Sequence, residues 1–121
     1  FRDGPVLKEG VDKIKQVWRD AADISVTDRS LVWNSDLVET LEFDNLIAQA
    51  AVTVVGAENR QESRGAHARE DFPKRDDVNW MKHTLAWADY GTKSVMLDDR
   101  PVHTKTMTNE VKYIEPKARV Y

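Results

Sequence analysis

A mainly helical α+β fold is predicted for this chain by three observations: two long stretches with helical apolar spacing, a pair of period-2 segments around a turn, and a densely charged stretch between them. Residues 1–65 are expected to form a helical-bundle part, 66–81 an irregular charged loop, and 82–121 a β-hairpin and tail. No internal repeat, low-complexity tract or Gly/Ser- or Pro-rich linker divides the chain, and 121 residues suit a single domain.

The first helix begins at Pro5, a helix-start proline after Asp3-Gly4, and Leu7, Val11, Ile14, Trp18 and Ala21 then recur at steps of four and three. That spacing predicts an amphipathic helix over 5–23. Ser25 to Trp33 mixes the turn formers Thr27, Asp28 and Ser30 with β-branched residues, has no helical stripe, and is expected to be a connector. Asn34-Ser35-Asp36 then offers capping oxygens and a carboxylate for the positive end of a helix dipole. The second helix is expected to run to about Glu62, with Gly65 in Ser63-Arg64-Gly65 as a left-handed cap. Val38, Leu41, Ala48, Val52 and Val55 share one face, and Leu37, Phe43, Leu46, Ile47 and Ala50 widen it. A helix apolar over so much of its circumference is packed on two sides. The tryptophans Trp18, Trp33, Trp80 and Trp87 are expected at the core or its edge, with the indole N–H reaching a partner, the alternative for some of them being an interface.

Pro73 forbids a regular helix through the charge-rich run Arg69 to Asp77, and a short helical turn is expected at Asp76–Met81. Thr84–Ala88 and Ser94–Leu97 alternate around Tyr90-Gly91-Thr92-Lys93, which predicts the hairpin. Pro101 and Pro116 bracket a tail without clear period.

Charge argues against a nucleic-acid partner. The chain has 18 Lys plus Arg against 21 Asp plus Glu, a net −3; residues 1–59 carry 6 basic and 11 acidic groups, 60–77 carry 5 of each, and 78–121 carry 7 and 5. Arg60, Arg64, Arg69, Lys74 and Arg75 with His67 and Phe72 resemble a nucleic-acid patch, but Glu62, Glu70, Asp71, Asp76 and Asp77 interleave with them. No net positive field remains to displace phosphate counterions. Matched guanidinium and carboxylate groups point instead to paired, partly desolvated charges. Glu62, Arg64, His67, Arg69, Asp71, Arg75 and Asp76 are therefore the candidate residues of an intramolecular polar knot or of a docking surface.

No catalytic, cofactor-binding or metal-ligating residue is assigned. His67, His83 and His103 lie 16 and 20 residues apart, so no pair shares a helix face as metal ligands do. The five glycines are too scattered to cradle phosphates, and no Gly-x-Ser-x-Gly elbow supports a hydrolase using His67 with Asp71 or Asp76. The absence of cysteine removes disulfides, Cys-ligated zinc, iron–sulfur ligation and thiol catalysis. No apolar run approaches the roughly 20 residues that span a bilayer, and 1–20 lack a signal-peptide core, so a soluble chain is expected. Phe1-Arg2-Asp3-Gly4-Pro5 opens without an initiator Met, as expected of a piece of a longer chain.

The run Glu62-Ser63-Arg64-Gly65-Ala66-His67-Ala68-Arg69-Glu70-Asp71-Phe72-Pro73-Lys74-Arg75-Asp76-Asp77 resembles the C-terminal signature of the flavoprotein subunit of succinate dehydrogenase and fumarate reductase. Trp33-Asn34-Ser35-Asp36-Leu37-Val38-Glu39-Thr40-Leu41-Glu42 and Asn45-Leu46 upstream, and Asn79-Trp80-Met81-Lys82-His83-Thr84-Leu85, Arg100-Pro101-Val102 and Arg119-Val120-Tyr121 downstream, resemble the same family. L-aspartate oxidase shares the Glu-Ser-Arg-Gly part, but His67 to Leu85 is closer to succinate dehydrogenase. The resemblance covers essentially the whole chain.

It implies the C-terminal part of a longer flavoprotein whose FAD-binding and capping domains lie upstream. The parent would oxidise succinate to fumarate through FAD and pass electrons to an iron–sulfur subunit and quinone. It would sit peripherally on the cytoplasmic face of a bacterial inner membrane or the mitochondrial matrix face. The family's flavin-linking histidine and substrate-binding residues precede this stretch, so this part would be a structural domain without FAD of its own. A third bundle helix before Phe1 is also implied, and its absence would expose an apolar groove, near Phe1, that favours self-association. A free-standing acidic helical interaction module is the alternative.

Overall fold

The computed structural model describes residues 2–117. Helix α1 spans Gly4–Asp20 and closes with a 3-10 turn, Ala21–Asp23; helix α2 spans Ser35–Asn59; strands β1 (Lys82–Asp89) and β2 (Ser94–Pro101) follow. Phe1 and the closing residues 118–121, with the expectations that concern them, lie outside the described residues.

Local chemistry sets each boundary. Asp3 caps α1, its Oδ1 accepting the Val6 N–H at 2.9 Å, with Pro5 in the first turn. Asn34 caps α2 in the same way, its Oδ1 accepting the Leu37 N–H at 2.9 Å. The far end of α2 differs from expectation: it stops at Asn59, and Arg60 is already extended. Gly65 does have a left-handed φ of +57°, but it sits in a tight turn where Arg64 and His67 exchange backbone hydrogen bonds of 2.8 and 3.0 Å, not at the helix end. A side chain from the loop caps α2 instead, as described below. The expected helical turn is a single α-turn, with the Trp80 N–H donating to the Asp76 carbonyl at 3.0 Å.

The helices run antiparallel and close. Trp18, Ile47, Ala48 and Ala51 are buried together, with Ile14, Phe43, Ala88 and Val95 packed around them. Gly10 permits this approach, since a Cβ there would lie 3.2 Å from Val54 Cγ2. β1 and β2 pair antiparallel from Lys82↔Pro101 to Asp89↔Ser94, a longer ladder than the alternating core of the pattern predicts. Ala88 and Val95 bring the hairpin onto α2, so α2 is covered by α1 and by the hairpin. An open groove of about 620 Å³ remains between the helices, lined by Leu7, Leu46, Gln49, Ala50, Thr53 and Val54.

The tryptophans do not share one role. Trp18 is buried, edge-on to Tyr90 at 5.7 Å between ring centroids, but its indole N–H finds no partner among the described residues. Trp80 is partly buried with Arg60 and Lys82 over its ring, and Trp87 is half-exposed. Trp33, expected at the core edge, is 96% exposed, because its left-handed backbone (φ +55°) turns it away from the bundle.

Candidate functional site

The charged loop folds back onto the end of the bundle where α2 stops and α1 starts. Arg69 is almost fully buried. Its Nη1 donates to the carbonyls of Ala57 (3.2 Å), Glu58 (2.8 Å) and Arg60 (3.4 Å), placing a cation on the negative end of α2. Its Nε and Nη2 grip Asp71 in a two-pronged pair, 2.7 Å each, and the guanidinium also faces the Phe72 ring. Asp71 Oδ2 in turn accepts the Gly4 N–H at 2.9 Å at the positive end of α1. Hydrogen bonding from the Arg69 guanidinium holds the Asp71 carboxyl down at about 2. Ser63 Oγ, which accepts the Arg69 N–H at 2.8 Å and lies 2.8 Å from the Phe72 carbonyl, fixes the loop that presents both side chains.

Glu62 is the second hub, with 0% of its surface exposed. Its Oε1 accepts from Arg60 Nη1 (2.5 Å) and Arg64 Nε (2.8 Å), and its Oε2 from Arg64 Nη2 (3.1 Å) and the Asp76 N–H (2.9 Å). Burial alone would raise this carboxyl, but the donors Arg64, Asp76 and Arg60 outweigh it and the group sits below the usual carboxylate range. Arg64 continues to Asp77 at 2.5 Å, and Asp77 also receives Arg75, which reaches the Pro116 carbonyl at 3.1 Å. Asp76 turns its carboxylate to Asn79 and to the Val78 N–H, which lower its pKa. Arg60 carries the network to β1, donating to the carbonyls of Trp80 and Lys82.

His67 lies between Arg2 and Arg60. Arg2 Nη1 is 3.0 Å from Nδ1 and the Arg60 carbonyl is 3.1 Å from Nε2. A guanidinium only donates, so Nδ1 must accept and Nε2 must carry the proton. Burial, reinforced by the charges of Arg2, Arg69 and Arg60, pushes this imidazole below its ordinary value. Both ring nitrogens are engaged, and among the described residues no group of three His, Asp or Glu side chains is placed to hold a metal ion.

The seven candidate residues thus fall into one connected region. Its other members are Arg2, Ser63 and Asp77 together with the helix-end residue Arg60. Asp77 and Arg60 stand in the charged run and carry that signal; Arg2, 65 residues from His67, has no local signal that could have joined it to the loop.

Residues 1–121 match the family model described as the fumarate reductase flavoprotein C-terminus. The chain belongs to that family. It is 51% identical over 121 residues to the mitochondrial succinate dehydrogenase (ubiquinone) flavoprotein subunit of Oryza sativa subsp. japonica, covering 100% of this chain and 19% of that one. It is 54% identical to the succinate dehydrogenase flavoprotein subunit of Rickettsia bellii (strain RML369-C), again over 100% of this chain and 20% of the relative. Among solved structures, a chain of an E. coli quinol fumarate reductase superposes with a TM-score of 0.80 at 34% identity, over 92% of this chain and 19% of that chain. The chain therefore spans about a fifth of the length of these relatives, and it is the C-terminal domain of the family.

Proposed function

We propose that this domain is the non-catalytic scaffold at the end of a succinate dehydrogenase flavoprotein. The upstream part of that protein holds FAD, takes a hydride from succinate to give fumarate, and passes electrons to an iron–sulfur subunit and quinone. The family match over the full length of the chain carries this reading. The domain alone oxidises nothing in this account. Its support is that Glu62, Arg69, Asp71 and both nitrogens of His67 are committed to partners within the chain. The parent complex would be peripheral on the cytoplasmic face of a bacterial inner membrane or on the mitochondrial matrix face. Among the described residues no helix is long and apolar enough to cross a membrane.

Within this reading Glu62, Arg64, His67, Arg69, Asp71, Arg75 and Asp76 act as an intramolecular knot. They clamp α1, α2 and β1 and so fix the surface offered to the FAD-binding and capping domains. The groove beside Leu7 and Leu46 takes an upstream helix in the full chain and a second copy when the domain stands alone, which sedimentation at rising concentration checks. The principal test is Arg64→Ala and Arg69→Ala in the full-length enzyme, measuring assembly with the iron–sulfur subunit, flavin content and succinate oxidation. Assembly and flavin content are expected to fall while turnover per bound flavin stays near wild type. Unchanged values of all three remove the proposal.

A further inference from the structure

The connector between α1 and α2 is tied by its polar side chains and presents its large apolar ones. Asp36 accepts the Thr27 and Asp28 N–H groups at 2.8 and 3.1 Å and the Thr27 hydroxyl at 3.2 Å. Asp28 binds the Ser30 N–H and hydroxyl at 2.8 and 2.9 Å, and Asn34 Nδ2 donates to the Asp28 and Ser30 carbonyls at 3.1 Å each. Three polar side chains thereby hold one loop shape, and that shape presents Leu31 (101% exposed), Val32 (72%) and Trp33 (96%) to water. Trp33 adopts a left-handed backbone that a bulky residue ordinarily avoids. Leu37 and Leu41, one turn apart at the start of α2, continue the exposed apolar surface. A loop built so firmly around outward-facing large apolar groups has the form of a preorganised anchor, in which ordering is complete before contact is made.

The surroundings and the length of the relatives indicate the partner. Within residues 23–44 Arg29 stands alone against Asp23, Asp28, Asp36, Glu39, Glu42 and Asp44, so the stretch that carries the patch is acidic. Two copies meeting through this patch would bring like charges together, which disfavours self-pairing. The matched relatives are about five times as long as this domain, which forms their C-terminal part, leaving some four-fifths of such a chain to precede it. A tethered partner acts at high effective concentration, so a patch of few residues suffices.

We propose that Leu31, Val32 and Trp33, backed by Leu37 and Leu41, insert into an apolar, basic-rimmed pocket on the upstream portion of the same polypeptide. This rests on the reading of the domain as the C-terminal part of a flavoprotein. The test places the photocrosslinker p-benzoylphenylalanine at position 33 of the full-length protein within its complex. Cross-links to upstream peptides of the same chain are expected. Cross-links confined to a second copy or to the iron–sulfur subunit, or none, overturn the proposal. Because the crosslinker could disturb the site, limited proteolysis of full-length Trp33→Asp and Trp33→Phe is read in parallel. Loss of a central aromatic anchor raises nicking in the 24–34 connector about 30-fold for Asp, while Phe stays near wild type. Equal nicking of Trp33→Asp and wild type overturns the anchor. Flavin content and succinate oxidation of the wild-type full-length protein separate the two claims: a protein without either sinks the underlying reading, whereas an active holoenzyme lacking the upstream cross-link sinks the anchor alone.

Discussion

Replacing Glu62 by glutamine changes almost no volume, yet it is expected to be among the more damaging substitutions in this domain. All four contacts to the two carboxylate oxygens come from donors: Arg60, the Arg64 Nε and Nη2, and the Asp76 N–H. An amide can present only one oxygen. Whichever way the new amide is turned, its NH₂ faces either Arg60 and Arg64 Nε or Arg64 Nη2 and the Asp76 N–H, so a donor meets donors in a site with 0% exposure. The charge that balances two guanidiniums is lost as well. Removing one partner of a buried ion pair costs on the order of 3–5 kcal/mol, and retention of one good acceptor places Glu62→Gln near 3 kcal/mol. With a urea dependence of about 1.5 kcal/mol per molar, the unfolding midpoint of the chain falls by about 2 M. Urea titration followed by far-ultraviolet circular dichroism reads this directly. Lys13→Ala, which breaks the exposed Glu9–Lys13 pair one helical turn apart, is the control and leaves the midpoint where it was. If Glu62→Gln moves the midpoint by no more than this control, the buried carboxylate does not hold the loop to the bundle.

Trp18→Ala empties the centre of the core and is expected to cost about 3–5 kcal/mol, whereas Trp18→Phe costs much less because it also removes an indole N–H that has no partner among the described residues; thermal melts of both variants check the order. Two glycine substitutions should have opposite signs in the same urea assay. Gly56→Ala lies inside α2 with no atom within 4 Å of the new Cβ and stabilises by about 0.5–1 kcal/mol, while Gly65→Ala has equal space but must hold φ at +57° and destabilises by about 1 kcal/mol. Acid should weaken the domain in two stages. His67 has a lowered folded pKa, so the unfolded chain takes up its proton first and stability begins to fall as pH drops below about 6.5. Glu62, Asp76, Asp77 and Asp71 also have lowered values, so their contribution is complete above their ordinary range and disappears as pH falls through it, last for Asp71 at about 2. Urea midpoints measured from pH 7 to 3 should show both stages, and His67→Gln should remove the first.

The helices and hairpin were legible because each carries a complete local signal. Leu7, Ile14 and Trp18 repeat at helical spacing, Asn34 announces a cap, and the segments flanking Tyr90-Gly91-Thr92-Lys93 alternate. The end of α2 was not legible because nothing near Asn59 in the chain decides it. The carbonyls of Ala57, Glu58 and Arg60 are closed by Arg69, ten residues and one reversal further on. A positive φ at Gly65 could be anticipated from residue type, but its use in a turn rather than a cap follows from Arg69 having taken the cap's work. The candidate group Glu62 to Asp76 stood out through equal numbers of opposite charges, whereas Arg2 and the Gly4 N–H joined it only through the antiparallel packing that brings position 4 beside position 71. Trp33 was misplaced because a tryptophan in a short connector is ordinarily drawn to the nearest core, and no local pattern distinguishes the loop that turns it outward.

The two ends of the helix pair solve opposite problems. At one end the Arg69–Asp71 pair sets a guanidinium on the last carbonyls of α2 and a carboxylate on the first amide of α1. A single ion pair then satisfies both helix dipoles, and it can do so only when the helices are antiparallel and their ends level. Reversing the order of the two charges would place like against like at both termini, so the pair specifies orientation as well as adding stability. The opposite end is tied by Asp36, Asn34 and Asp28, whose hydrogen bonds leave Leu31, Val32 and Trp33 in water. What sets the connector end apart is that its polar ties leave three consecutive large apolar side chains in water. A larger protein that docks this domain through that end meets a rigid surface, because the knot at the far end has already fixed the angle and register of the two helices.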